Sequence, residues 1–276
     1  YLSIDHTMQF IVEQQLAAAV QQHQATGGTI IVMNPHTGAI LAMASAPSYD
    51  PNHFETTDAK LFVDPAVSTP FEPGSTFKLI TMSAGIELHD VTPDTTMVDK
   101  GSELIGGQTI WDWDHKAHGT VTMVEVLAHS LNLGAAFVGR RVGANDFYRY
   151  VQNFGFGQRT GIDVQGEASG VVRTPAGSSW YPIDLSTNSF GQGLTATPLQ
   201  LTTAVSAIAN DGAMVRPYVV QKTVKNGKTS ETVPVITGHP ISPQTAHTMT
   251  AMMIDVIQKG EGNGAAVPGY VVAGKT

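Results

Sequence analysis

Phe71-Glu72-Pro73-Gly74-Ser75-Thr76-Phe77-Lys78 runs directly into Leu79-Ile80-Thr81-Met82-Ser83-Ala84-Gly85-Ile86. Pro73-Gly74 is a break, and the apolar run behind it predicts a helix over Ser75 to Leu88. Residues three apart on a helix share a face, so the Ser75 hydroxyl and the Lys78 amine can meet. At a helix start, free N–H groups and the dipole also favour negative charge developing on Ser75. Lys78 is the only charged residue from Ser75 to Ile86. A lysine among apolar side chains has its pKa lowered and can act as a neutral base at about pH 7. The pair reads as a serine nucleophile activated by lysine, with no histidine. Alone, Ser-x-x-Lys equally fits a serine cap and a surface lysine on an amphipathic helix.

Outward from this stretch, Ser130-Leu131-Asn132 lies between two predicted helices, Val121 to His129 and Leu133 to Val142. Lys275-Thr276 closes the sequence, at the end of a predicted strand from Tyr270. Residues 7–23 predict an amphipathic helix with Thr7 as N-cap and Ile11, Val12, Leu16, Ala19 and Val20 on one face. Thr29 to Met33 and Ala39 to Met43, around Asn34-Pro35-His36-Thr37-Gly38, predict a β-hairpin buried on both faces. Gly155 to Gly170 reads as loop, and Thr197-Pro198 starts a helix to about Asn210. Val219 to Val235 reads as strands around Asn226-Gly227, and Thr245 to Lys259 as the last helix. Strands at both ends with helices between them indicate α+β, not a parallel doubly wound sheet.

Composition excludes several classes. A chain of 276 residues with 42% hydrophobic and 14% charged residues can bury a sizeable core. A net charge of −8 supplies no basic field for a nucleic acid. There is no cysteine, hence no disulfide, thiol catalysis or cysteine-rich zinc site. No run approaches the roughly 18 apolar residues of a membrane span. Starting at Tyr1 and stopping at Thr276, the chain is expected to be a piece of a longer protein whose membrane anchor lies upstream.

The ordered set Ser75-Thr76-Phe77-Lys78, Ser130-Leu131-Asn132 and Lys275-Thr276 resembles the three motifs of penicillin-binding proteins and serine β-lactamases. The segment around Ser75 looks like the nucleophile segment of class B penicillin-binding proteins, the cell-wall transpeptidases. The hairpin Val32 to Met43 with Asp50-Pro51-Asn52 is similar to the family's first two strands. His118-Gly119-Thr120, Phe154-Gly155-Phe156-Gly157, Thr160-Gly161, Phe190-Gly191-Gln192-Gly193 and Thr197-Pro198-Leu199-Gln200-Leu201 fall in the family order, so the resemblance covers nearly the whole chain.

The resemblance implies an antiparallel sheet flanked by helices plus a mainly helical lobe. One transpeptidase domain would fill residues 1–276, with a sheet lobe at about 1–70 and 211–276 and a helical lobe at about 71–210. Ser75 would attack the D-Ala-D-Ala bond of a peptidoglycan stem peptide, or a β-lactam, and Lys78 would take its proton. Ser130 would relay a proton to the leaving amine, Asn132 would hold the substrate amide, and Lys275 with Thr276 would bind its carboxylate. No cofactor is implied. Through the longer protein, partners would include cell-wall polymerase and division or elongation proteins, at the extracytoplasmic face of the bacterial cytoplasmic membrane. A β-lactamase or D,D-carboxypeptidase of the same superfamily, or a non-catalytic β-lactam-binding or scaffold fragment, are the alternatives.

Two departures carry expectations of their own. The family's glycine after Lys-Thr is absent, and with it the following N–H that completes an oxyanion hole, a donor worth about 10²–10³ in rate. The strand bearing Lys275 would also lack its pairing partner, leaving residues 270–276 orphaned or disordered and the sheet incomplete. Gly260-Glu261-Gly262-Asn263-Gly264 replaces a Gly-Thr-Gly-like turn, a change expected to alter loop mobility more than chemistry. Asp112-Trp113-Asp114-His115-Lys116-Ala117-His118 has the donor types of a metal site. Related zinc sites in elongation-type members also use a cysteine, so the segment reads as a hydrogen-bonded surface loop and no metal is assigned.

Overall fold

The computed structural model describes residues 1–276. Asp5, not Thr7, caps the first helix, α1 (His6–Gln22), because its extended backbone lets the carboxylate accept the Met8 N–H. Of the predicted apolar face only Leu16 is buried, and Ile11 is 51% exposed. Gln9 does the attaching instead: its amide accepts the Met43 N–H at 2.9 Å and donates to the Met43 carbonyl at 3.0 Å, as a neighbouring strand would. The hairpin forms as expected, β1 (Gly28–Met33) against β2 (Ile40–Ala46). Burial alternates along β2, with Ile40, Ala42 and Ala44 inside, so one face is buried and not two. Beyond two 3-10 turns at Pro51–Thr56 and Ala59–Phe62 lies the short helix α2 (Pro65–Ser68).

The helix behind Ser75, α3 (Lys78–Glu87), is buried from Lys78 through Ile86. A helix without a solvent face belongs at the centre of a core. Two small ladders follow it, β3 (Thr96–Asp99) with β6 (Gly119–Thr122) and, nested between them, β4 (Ser102–Ile105) with β5 (Gln108–Trp111). Both were missed in the sequence because each strand is short and largely exposed. Val121 lies in β6, not in a helix. The helix α4 (Met123–Ala128) starts two residues later, where Thr122 and Glu125 form a reciprocal capping box. Next come α5 (Asn132–Val142) and α6 (Ala144–Asn153), then α7 (Pro182–Ser189) and α8 (Pro198–Ile208). β7 (Met214–Val215) pairs with β10 (Ile236–Gly238), and the intervening hairpin, β8 (Lys222–Lys225) and β9 (Lys228–Glu231), turns on Asn226 and Gly227, both at positive φ.

The last helix, α9 (Pro243–Lys259), puts Ala246, Met249, Met252 and Val256 into the core that holds Phe77, Leu79, Leu127 and Val138. The architecture is α+β. Its strands form five two-stranded antiparallel pairs, not one continuous sheet, supplemented by single bridges such as Ala39 with Tyr218 and Leu2 with Val220. Residues 270–276 do not form the predicted strand. No other segment pairs with them along a ladder; a single bond from Gly274 N–H to the Met253 carbonyl, 3.2 Å, ties them to α9.

The Gly155–Gly170 loop, as irregular as its sequence implies, is held by α8. Thr197 and Gln200 cap the helix reciprocally, and Gln200 Nε2 donates to Gln158 O at 2.6 Å and Ser169 O at 2.8 Å. Gln200→Leu orphans these carbonyls and should cost about 3 kcal/mol. Thr197→Ala, which removes only the cap, should cost about 1 kcal/mol. Urea midpoints measure both; equal losses would remove the role given to Gln200.

Candidate active site

Ser75 is presented by a contact between two glycines. Gly74 has φ +57, donates its N–H to the Gly191 carbonyl at 3.0 Å, and leaves no room for a side chain opposite. A Cβ on Gly191 would fall 2.2 Å from the Gly74 oxygen. Either side of this contact, Phe71 bridges Ala196 and Glu72 accepts the Gly193 N–H at 2.8 Å. The Phe71–Gly74 and Gly191–Ala196 segments are thus stitched together. Ser75 itself lies in a 3-10 turn, Gly74–Phe77, tighter than the α-helix expected there, with α3 taking over at Lys78.

Lys78 is 1% exposed, and its amine makes three hydrogen bonds. Nζ stands 3.1 Å from Ser75 Oγ, whose hydroxyl can donate to its lone pair, and donates to the Ser130 carbonyl at 2.5 Å and to Ser130 Oγ at 3.3 Å. Burial, joined by the positive charge of Lys275 and opposed by Asp112, holds its pKa well below the usual 10.5. Desolvation thus favours the neutral, basic form of the amine that touches the serine. Ser130 adopts φ +55, an unusual conformation for a residue with a side chain, which turns both its carbonyl and its hydroxyl toward Lys78.

Lys275 approaches from the other side, its Nζ 2.9 Å from Ser130 Oγ. Ser75, Lys78, Ser130 and Lys275, 200 residues apart in sequence (75 to 275), thus form one continuous hydrogen-bonded chain. Thr276 reaches it only through Lys275, which donates to the Thr276 carbonyl at 2.7 Å. Asn132 stands at the first turn of α5, its Nδ2 committed to the Trp111 carbonyl at 2.9 Å and its Oδ1 free to accept.

The Asp112–His118 segment is not wholly a surface loop. Asp112 is 1% exposed and accepts the Asn132 and Leu133 N–H groups, while Asp114 pairs with His118 at 3.1 Å. Trp113 hydrogen-bonds the His129 carbonyl at 3.0 Å. Asp99, also 1% exposed, neighbours Asp112. Its importance was invisible in sequence, save that a lone acid follows the apolar Met97-Val98 of a strand.

The family model for the penicillin-binding protein transpeptidase domain matches residues 28–276. The chain belongs to this family, in its class B branch. Among curated relatives it is 36% identical to stage V sporulation protein D of Bacillus subtilis, with all of this chain and 43% of that protein covered. Penicillin-binding protein PbpB of Mycobacterium tuberculosis is 37% identical, with 100% of this chain and 42% of that protein covered. The chain therefore spans less than half the length of these relatives. The crystal structure of penicillin-binding protein 3 from Mycobacterium tuberculosis in complex with aztreonam superimposes with a TM-score of 0.92 at 36% identity, over 99% of this chain and 63% of that one.

Lys275 is half-buried, and desolvation, opposed by the charge of Glu261, lowers its pKa to about 8. The folded value lies below the unfolded 10.5, so the buried charge weighs against the fold below about pH 8, and that penalty is gone above 10.5. Competitive acetylation of the folded chain, read by peptide mass spectrometry, should reach half-maximal reactivity at Lys275 near pH 8. Half-reaction near 10.5 would show the amine to be fully solvated.

Proposed function

We propose that the chain is the catalytic domain of a peptidoglycan D,D-transpeptidase, with Ser75 as the nucleophile. The observation that carries this is the desolvated Lys78 amine at 3.1 Å from Ser75 Oγ. A neutral amine accepts the serine proton as the oxygen attacks the carbonyl of a D-Ala-D-Ala bond. Ser130, bonded to both lysines, then passes a proton to the departing D-Ala amine, which leaves as the C–N bond breaks and the acyl ester forms. Asn132 Oδ1 is free to accept the substrate's amide N–H, and Lys275 with Thr276 grips its terminal carboxylate. An amine from a second stem peptide attacks the ester, forms the new amide and returns the proton to Ser75.

A β-lactam places a strained amide in the same position, so Ser75 opens the ring and retains the whole molecule. The relatives support this: the Mycobacterium tuberculosis structure holds aztreonam, and another of the same protein holds ampicillin. Ser75 Oγ hydrogen-bonds Lys78 and no carboxylate, which favours transfer to an amine over the water-activating chemistry of a β-lactamase. No helix of the chain is long and apolar enough to cross a membrane. In this reading the longer protein supplies the anchor that holds the domain at the extracytoplasmic face, beside stem peptides and the polymerase and division or elongation proteins that deliver them.

A fluorescent penicillin incubated with the chain should give a covalent adduct on Ser75 by mass spectrometry. Lys78→Ala should stay folded and lose acylation by about 10²-fold or more. A folded chain that never acquires the adduct contradicts the transpeptidase reading, and normal acylation of Lys78→Ala contradicts the base.

A further inference from the structure

Two buried carboxyl groups have no part in the acyl transfer. Asp99 Oδ1 accepts the Gly101 N–H at 2.6 Å, and Asp112 Oδ1 accepts the N–H groups of Asn132 at 2.5 Å and Leu133 at 3.1 Å. The second oxygen of each, Oδ2, is buried without any partner. Two orphaned carboxyl oxygens side by side are satisfied together by a single proton between them.

We propose that Asp112, backed by the buried carboxyl of Asp99, is a positioning residue that sets the Ser130-Leu131-Asn132 turn against Lys78. Leu131, at the N-cap of α5, has no side chain able to accept the free N–H groups of the first turn. Asp112 does so from a different part of the chain, where the helix dipole also favours its charge. The residue just before, Ser130, is in the left-handed region, which an L-residue leaves when nothing holds it. Behind it, the Ser130 N–H is tied to the Leu127 carbonyl of α4 at 3.3 Å; ahead of it, the Leu131 N–H is fixed to the Val126 carbonyl at 2.9 Å and Asp112 fixes Asn132. Between these anchors the Ser130 carbonyl and hydroxyl are aimed at the Lys78 amine.

Each neighbouring element contributes to the charge of the pair. β3 supplies Asp99, α3 supplies the Lys78 amine, and α5 supplies only backbone N–H groups and the uncharged Asn132 and Leu133. The loop after Asp112 carries Asp114, hydrogen-bonded to His118. Burial, then the hydrogen bond and charge of Asp99, push the Asp112 carboxyl up to about 6, against the two N–H donors. The shared proton binds as the pH falls through that value. Above it the full charge of Asp112 faces Lys78 and raises the proton affinity of the amine.

The consequence for rate rests on the acyl-transfer reading, whereas the contact itself can be seen without any reaction. Stopped-flow acylation by fluorescent penicillin would be measured for the unmodified chain, Asp112→Ala and Asp112→Asn, with folding checked by circular dichroism. Asp112→Ala should slow the chemical step about 10- to 100-fold with little change in initial binding. Asp112→Asn should recover most of that loss, because its Oδ1 still accepts both N–H groups and its Nδ2 can donate to Asp99. In ¹⁵N-labelled protein the Asn132 amide resonance should titrate with a midpoint near 6, and this step should vanish in Asp112→Asn. An Asn132 amide that ignores pH in the unmodified chain, or titrates unchanged in Asp112→Asn, overturns the proposal even if Asp112→Ala fails to fold. So does an asparagine variant as slow as the alanine one. An unmodified chain that never acylates but shows the Asn132 titration would refute the reaction and leave the positioning contact standing.

Discussion

One desolvated amine organises this molecule. Lys78 sits in a helix with no solvent face, and burial lowers its proton affinity more than any single neighbour does. An unpaired ammonium could not stay there, but a neutral amine can, provided that its hydrogen-bonding capacity is used. Ser75 and Ser130 use it. The same three contacts that make the buried lysine tolerable set the serine hydroxyl against a desolvated amine, so in the proposed reaction stability and chemistry are solved by one arrangement.

Everything around the amine serves to hold those partners still. The glycine contact between residues 74 and 191 delivers Ser75, and it is possible only because Gly191 has no Cβ in the way and Gly74 accepts a positive φ. The left-handed turn at Ser130 delivers two oxygens, held from behind by α4 and from ahead by Asp112. α9 contributes the methionines that close the core under α3, and a single backbone bond to its Met253 keeps the terminal segment close enough for Lys275 to reach Ser130. Lys275 adds a second positive charge near Lys78, lowering its proton affinity further.

Much of this was legible in the sequence, for identifiable reasons. A lone lysine three residues after a serine, inside an apolar run behind Pro-Gly, already implies a depressed pKa. The order of the three motifs implies that distant residues converge. Helices with strong caps, such as α8 at Thr197-Pro198, were located well, because a cap is a local interaction. Features decided by tertiary contacts were not. The N-cap of α1 moved from Thr7 to Asp5, and its apolar face stayed largely exposed because Gln9 docks the helix instead. The strand read at Tyr270–Thr276 is absent and the segment is left without a ladder, in line with the expectation that it would lack a pairing neighbour. Asp112 reads in the sequence as part of a surface loop and Asp99 carries almost no signal; only the fold shows them buried side by side behind the Ser130 turn.

The central claim concerns the protonation state of one nitrogen, so it is best tested at that nitrogen. The ¹⁵N resonance of Lys78 Nζ, assigned by its loss in Lys78→Ala, distinguishes an amine from an ammonium directly. The structure places ionisation well below the usual 10.5, through burial first and a further fall in proton affinity contributed by Lys275. An ammonium signal at neutral pH that titrates near the usual 10.5 would contradict the account, whatever the chain does with a penicillin.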